Sequence, residues 1–440
     1  MSNWGSDRFK WIKIFDRIQF QTALHKVAPF YLLKPLSMLI NFITIAQITS
    51  MIGVDGYGAI SLILAATAFI TAVIDFRSNE SVVRFRVRYQ NANDPGSANF
   101  SVLLGAGIDA GLALIYPIVI FILADPISSH FFHGQIAKKL LIIYSISSSF
   151  LFLAGTPSAI LQSCGMFWKL SSADLLHKSI RLAWVLLASS PISVRYVIFG
   201  YALSNILYSL TLAVTAIHTL RRDTRGFPVH ASRKVVKDFT TFTTHTFISS
   251  LLKAGITDVD KLVLGYFCQT RDVGLYDIVK RIAGLLSWII FPLGTVTYPS
   301  FVQLFQNRQY MEIKLRIRKI TLVVTFASLT VAIFVLMTRS IVQQFFSISG
   351  FPVLHMLIPL LICNTLQNTL WFSRVFVNSI GEPHISVWLN GIMSALSIIS
   401  LVFLVPLLNV DGAALANLLS MFVIFLLWSR YYLSKTRSWS

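Results

Sequence analysis

The chain has 440 residues, 55% of them hydrophobic and only 12% Asp, Glu, Lys or Arg. Ordinary soluble domains carry about 25% charged residues, and a mean hydropathy of +0.69 points the same way. A soluble enzyme, a disordered chain and a soluble nucleic-acid binder are excluded. The net charge of +19 is then expected to report basic loops on one side of a membrane, with no nucleic-acid partner. The three cysteines, Cys164, Cys268 and Cys363, lie in or beside apolar runs and fit small buried thiols better than a disulfide framework or metal cluster.

The first 26 residues hold five Lys/Arg and no pattern of a cleavable signal peptide. Phe9, Ile12, Phe15 and Ile18 recur at three-residue steps with Lys10, Lys13 and Arg17 between them. That spacing suits a short helix lying among lipid headgroups, so 1–26 is read as a cytoplasmic, interfacial segment. Apolar runs of the ~20 residues needed to span a bilayer follow at 27–50, 57–75, 97–123, 140–163, 173–191 and 195–218. A basic linker at 219–240 precedes a second set at 241–265, 274–298, 319–338, 352–377, 384–405 and 411–432. The expected fold is an all-α polytopic membrane protein of twelve helices, with an N-lobe at 27–218 and a C-lobe at 241–440. Loops on the side of the termini hold 24 Lys/Arg against 5 in the opposite loops, which places both termini in the cytoplasm.

The two sets share motifs at a near-constant offset. GYALSN at Gly200–Asn205 matches GAALAN at Gly412–Asn417, and Ser163-Cys-Gly165 matches Ser379-Ile-Gly381. Gly56-Tyr57 pairs loosely with Gly274-Leu275-Tyr276. Because six is even, both halves enter the membrane from the same side, so a duplication predicts pseudo-two-fold symmetry along the membrane normal with a substrate site between the lobes.

Eight bases fall inside predicted spans: Lys34, Lys178, Arg181, Lys253, Lys261, Lys280, Arg281 and Arg374. Four carboxylates lie at comparable depth: Asp109, Asp258, Asp260 and Asp277. Charges at such depth are costly and face a bundle interior or an aqueous path. Helical spacing gathers Asp174, His177, Lys178 and Arg181 into one stripe, sets Asp277 one turn from Lys280 and Arg281, and aligns Asn364, Gln367, Trp371 and Arg374. Asp277 with Arg281 also reads as a structural pair, and Lys178, Lys261, Lys280 and Arg374 also read as snorkelling to an interface. Lys253 and Arg181 lie too deep for that. Asp109 reads either as an ion-coupling carboxylate or as a counter-ion to a base. A positively lined path with Trp, Tyr, Asn and Gln suits a phosphate-bearing sugar better than a greasy cation.

GVDGYGAISLI (Gly53–Ile63), DKLVLGYFCQTRDVGLYDIVKRIAG (Asp260–Gly284) and GEPHISVWLNGIMSALSIISLVFLVPLLNVDGAALANLLS (Gly381–Ser420) resemble the polysaccharide-biosynthesis and O-antigen flippases of the multidrug/oligosaccharidyl-lipid/polysaccharide (MOP) exporter superfamily. The resemblance implies two six-helix lobes in a V that open alternately to each side of the bacterial inner membrane. It implies a substrate of undecaprenyl diphosphate bearing an oligosaccharide, with the lipid tail in a side portal. Membrane lipids, a polysaccharide polymerase and a chain-length regulator are the implied partners. No cofactor is expected; a proton gradient, a sodium gradient and mass action all stay open as driving force. Lys34, Arg181, Lys253, Lys280, Arg281 and Arg374 are the candidate substrate contacts, and Asp109 the candidate for ion coupling. The basic run at Asp75–Gln90 is heavier than the family pattern and reads only as cytoplasmic anchoring.

A drug exporter of the same superfamily is the nearest rival, but it would favour a carboxylate in the first span, where this chain has Lys34. A peptidoglycan-precursor flippase would need two further spans. A membrane polymerase, ligase or glycosyltransferase is the rival of another class, for which Asp258-Val-Asp260 spells a DxD motif. The chain lacks the large extracytoplasmic loop such enzymes use, so a transporter, not an enzyme, is expected.

Overall fold

A computed structural model describes residues 4–131, 138–188, 192–223, 229–254, 258–285, 307–348 and 350–437, with scattered positions between 287 and 305. Side chains are described from Leu32 onward, those of Arg222, Asp223, Ser249, Lys253, Ala254 and Pro383 excepted. The described elements are all helices. The first half contributes α1 (Trp4–Ile74), α2 (Ser78–Asn91), α3 (Pro95–Phe131), α4 (Lys138–Leu153), α5 (Gly155–Ser163), α6 (Phe167–Leu186) and α7 (Val194–Asp223). The second contributes α8 (Arg233–Ala254), α9 (Val259–Phe267), α10 (Thr270–Ala283), α11 (Tyr310–Met337), α12 (Arg339–Phe345), α13 (Leu354–Thr369), α14 (Ser373–Ser379) and α15 (Pro383–Arg437).

Among the described residues, six stretches are long and apolar enough to cross a membrane. Two of them, Leu32–Ile74 and His384–Arg437, have double length. Each is broken once, α1 at Gly53 (φ 75°, ψ 173°) and α15 at Asn409 (φ 51°, ψ −125°). Each therefore takes in two of the runs read from the sequence. The outer helices turn their apolar residues outward: Leu114, Ile118, Phe121 and Ile122 on α3 and Leu322, Val323 and Phe326 on α11 are exposed, as lipid-facing surfaces are. Inward faces are instead rich in serine. Ser145, Ser147, Ser148 and Ser149 of α4 are buried with their hydroxyls donated to carbonyls of their own helix. Such small, self-satisfied residues allow close helix approach without leaving a polar group unpaired.

Several expectations change here. The backbone of 4–26 is helical and runs without a break into the first span, so it is no separate interfacial helix. The stretch 76–96 is largely a helix, not a loop, and two of its arginines, Arg84 and Arg86, pack against neighbouring elements. Arg86 is 1% exposed and donates to Ser163 Oγ at 3.1 Å near the end of α5. Arg84 lies 4.2 Å from the Phe242 ring centroid on α8, and Arg88 pairs with Asp238 at 3.9 Å. The fourth run is split at Ala154, because Pro157 lacks an N–H and fits only the first turn of a new helix, α5. The seventh run is interrupted at Asp258 (φ 58°), which precedes α9, and the tenth breaks between α13 and α14.

Two of the paired motifs share a backbone feature. Gly165 (φ +67°) and Gly381 (φ +80°), 216 positions apart, both close a helix in the left-handed conformation. Each is bonded identically: Gly165 N to Gln162 O with Met166 N to Leu161 O, and Gly381 N to Asn378 O with Glu382 N to Val377 O. This is the Schellman arrangement that glycine permits. Where α1 crosses α10, a Cβ on Gly58 would lie 1.8 Å from Thr270 O, and one on Gly274 would lie 2.4 Å from Val54 O. Gly58 with Gly274 and Val54 with Thr270 are again 216 positions apart, so the contact is reciprocal. The counterpart of Gly274 is therefore Gly58, in place of the Gly56 suggested by the sequence.

Candidate functional site

The charged residues converge on the seam where α1 meets α6, α9 and α10. On the first-half side, Lys34 Nζ donates to Asp174 Oδ2 at 2.9 Å, joining α1 to α6. One and two turns along α6, His177 and Arg181 both meet Asn205 of α7. His177 Nε2 lies 3.2 Å from Asn205 Oδ1, while Arg181 Nη2 donates to the same oxygen at 2.7 Å. Arg181 Nε donates to Ser204 Oγ at 2.8 Å, and its guanidinium lies 4.3 Å from the Tyr201 ring centroid. Arg181 is thus buried among neutral acceptors, with no carboxylate bonded to it among the described residues. Lys178, between His177 and Arg181, is half-buried and has no hydrogen bond or ion pair among the described residues.

On the second-half side every base has a carboxylate. Lys261 Nζ contacts Asp258 Oδ1 at 2.7 Å and Asp277 Oδ1 at 3.1 Å. Lys280 Nζ contacts Asp260 Oδ2 at 2.6 Å, and Arg281 Nε contacts Asp277 Oδ2 at 2.9 Å. Hydrogen bonds complete the network, as buried ion pairs require. Tyr276 donates to Asp260 Oδ2 at 2.6 Å, and Asn417 Nδ2 reaches the same oxygen at 3.1 Å. Tyr57 of α1 donates to Asp277 Oδ2 at 2.5 Å, which ties the two halves together. Both carboxylates of the DxD sequence are thereby engaged by lysines.

Of the residues singled out from sequence, Lys34, Arg181, Lys280 and Arg281 are brought to this seam. Arg374 is not: it is exposed on α14, beyond the break that interrupts the Asn364–Gln367–Trp371 stripe. Trp371 instead donates to Thr321 Oγ1 at 3.0 Å. The side chain of Lys253 lies outside the described residues. Asp109 is buried away from the seam bases. It accepts Thr156 N at 2.7 Å and Thr156 Oγ1 at 2.6 Å, and Ser78 Oγ donates to its other oxygen. Ser78 opens α2 and Thr156 opens α5, so Asp109 sits at two helix N-termini, where backbone dipoles favour negative charge. Among the described residues no base contacts it.

Sequence reading passed over Tyr57, Tyr276, Asn205 and Asn417 as site residues, and kept Lys178 out of the candidate contacts. A signal existed for the asparagines. They are the last residues of GYALSN and GAALAN, and each holds the charged stripe of its own half, Asn205 through Arg181 and Asn417 through Asp260.

An inward-facing multidrug-resistance MATE family transporter of the MOP superfamily superposes with a TM-score of 0.73 at 16% identity, covering 91% of this chain and 96% of that one. The outward-facing conformation of such a transporter gives 0.62 at 18% identity, covering 94% and 97%. A MOP superfamily transporter from Pyrococcus furiosus, described as having a binding pocket of reverse polarity that suggests a different function, gives 0.59 at 17% identity, covering 92% and 96%. These likenesses establish the fold. No curated protein matches the sequence. The profile of the family described as Polysaccharide biosynthesis protein matches residues 24–305. With well over half of its length matched, and with the fold of a MOP-superfamily membrane transporter, the chain belongs to the polysaccharide biosynthesis protein family.

Proposed function

We propose that the protein is a flippase for undecaprenyl-diphosphate-linked oligosaccharide, an O-antigen or exopolysaccharide repeat unit, moved across the bacterial inner membrane by alternating access. One observation carries this reading: in a member of the polysaccharide biosynthesis family, the seam between the halves holds more bases than carboxylates. Lys34, Lys178, Arg181, Lys261, Lys280 and Arg281 face Asp174, Asp258, Asp260 and Asp277. A diphosphate is the part of the substrate that such a seam attracts, and phosphate oxygens form charge-assisted bonds with Lys and Arg.

The proposed architecture is twelve helices in two six-helix lobes related by a pseudo-two-fold axis along the membrane normal. The reciprocal Gly58–Gly274 contact and the paired Gly165 and Gly381 turns support it. Closure at that crossing, with the better superposition on the inward-facing neighbour, supports a state open toward the termini. The loop charges support a cytoplasmic location for that side. In this reading the protein transports without catalysing a reaction, and lipids, a polymerase and a chain-length regulator are its partners.

Export of small molecules is the second reading, favoured by the neighbours described as multidrug transporters. The basic seam speaks against a cationic drug. Depleting the protein in its native cell separates the two. The flippase reading expects lipid-linked repeat units to accumulate in the cytoplasmic leaflet; drug sensitivity with normal surface glycan would support the exporter instead.

A further inference from the structure

The excess positive charge of the seam is not evenly divided. On α9 and α10, Lys261, Lys280 and Arg281 each lie within 3.1 Å of a carboxylate, so three bases meet three acids. On α1 and α6, Lys34, Lys178 and Arg181 share the single carboxylate Asp174, and Lys34 occupies it. Arg181 spends its donors on Ser204 and Asn205. Lys178 alone has no partner among the described residues, and it feels the fields of Arg181, Lys34 and Arg281 against that of Asp174 alone. An ammonium without an acceptor at this depth is costly, and among the described residues none accepts from Lys178.

We infer that Lys178 is the principal contact for the anionic head of the substrate, and that the diphosphate binds to the first-half face of the seam. This rests on the flippase reading. Lys34 of α1, bonded to Asp174 one turn before Lys178, and Arg181, one turn beyond it on α6, flank the anion site, while the bases of the second half are committed to internal pairs. Lys34 takes Asp174 Oδ2 as its own partner, and Arg181, fixed by Asn205, adds field without having to move. The chemistry recognised is a diphosphate, whether on a lipid or free.

The test uses the full-length protein in detergent, titrated by its tryptophan fluorescence with undecaprenyl diphosphate, inorganic pyrophosphate and neutral undecaprenol. The wild type is expected to bind undecaprenyl diphosphate more tightly than undecaprenol, with pyrophosphate competing if the head alone is read. Lys178→Gln should weaken undecaprenyl diphosphate about 10- to 100-fold, the size of one lost charged hydrogen bond, and leave undecaprenol unchanged. Lys178→Arg should restore binding. Because Lys178→Gln removes an unpartnered charge, its melting temperature should equal or exceed that of the wild type; a marked fall would mean that Lys178 is structurally paired and would overturn the inference. Normal diphosphate binding by Lys178→Gln, with loss in Lys280→Gln or Arg281→Gln, would also overturn it while leaving the flippase reading intact. Equal wild-type affinity for undecaprenyl diphosphate and undecaprenol would remove the flippase reading itself.

Discussion

Alanine at Gly58 places a methyl carbon 1.8 Å from the carbonyl oxygen of Thr270 and 2.7 Å from its carbon. Ordinary carbon–oxygen contacts begin near ~3.3 Å, so α1 and α10 must separate by about 1.5 Å. The obstacle is backbone, which no side-chain rotation relieves. Since Gly274 makes the reciprocal contact with Val54 O, displacement at one point loosens the other. Overpacking of this kind costs about 1–3 kcal/mol, which multiplies the population of the open crossing by about 5- to 150-fold. Cys268 offers a native reporter, being 7% exposed and two positions before Thr270. Burial pushes its thiol up to about 11 from an ordinary 9.0. At pH 8 an opened crossing therefore raises its thiolate fraction about a hundredfold, and labelling proceeds almost wholly through the open state. In a Cys164→Ser, Cys363→Ser background, alkylation of Cys268 should accelerate in Gly58→Ala by about the factor above. Unchanged alkylation in a folded Gly58→Ala protein would refute the reciprocal contact as the closure between the halves.

Tyr57→Phe removes the hydroxyl that crosses from α1 to Asp277 and should accelerate the same alkylation, through loss of about 1.5–3 kcal/mol for a bond to a charged acceptor; no change would show that the glycine contact holds the seam alone. Asp109→Asn keeps one acceptor at the N-termini of α2 and α5 but loses the charge, so thermal unfolding should fall by about 1–3 kcal/mol with the pH profile of transport unaltered. A lost pH dependence with normal stability would instead make Asp109 the coupling residue. At the end of α15, Lys435 and Tyr431 donate to Glu382 and hold its carboxyl below the ordinary range. A carboxylate so depressed contributes stability above its unfolded value, about 4.3, and loses it only as pH falls through the lower folded value. Hydrogen exchange in the last turns of α15 should stay protected at pH 5 and rise below pH 4, whereas Glu382→Gln should leave them unprotected throughout; pH-independent protection in the wild type would contradict the clamp.

Features written in local composition could be read from the chain, and features made by helix contacts could not. The apolar runs and the SCG and SIG turns at Gly165 and Gly381 show in the residues themselves. So do Lys34, Arg181, Lys280 and Arg281 as charges inside apolar runs, although the contacts between their three helices do not. The Asp75–Gln90 stretch misled because its arginines look like a solvated loop, yet Arg86 is buried and Arg84 packs on Phe242. Charge alone does not say whether guanidinium meets water or an aromatic face. Asp109 read by depth as an ion-coupling carboxylate or a counter-ion. Its partners are two helix starts, of which Pro157 marks one in the sequence while nothing in the sequence marks the other. The separation of Lys178 from its paired neighbours depends on which lysine takes Asp174, a choice between α1 and α6 that no spacing rule settles.

The central claim is tested most directly by reconstituting the purified protein in liposomes with undecaprenyl-diphosphate-linked oligosaccharide and following the glycan that becomes accessible to an external glycosidase. Protein-dependent transfer from the inner to the outer leaflet, absent for neutral undecaprenol-linked glycan and slowed by Lys178→Gln, is the predicted result. Equal rates with and without protein, or equal transport of the diphosphate and neutral forms, would contradict a basic seam built for an anionic lipid-linked sugar.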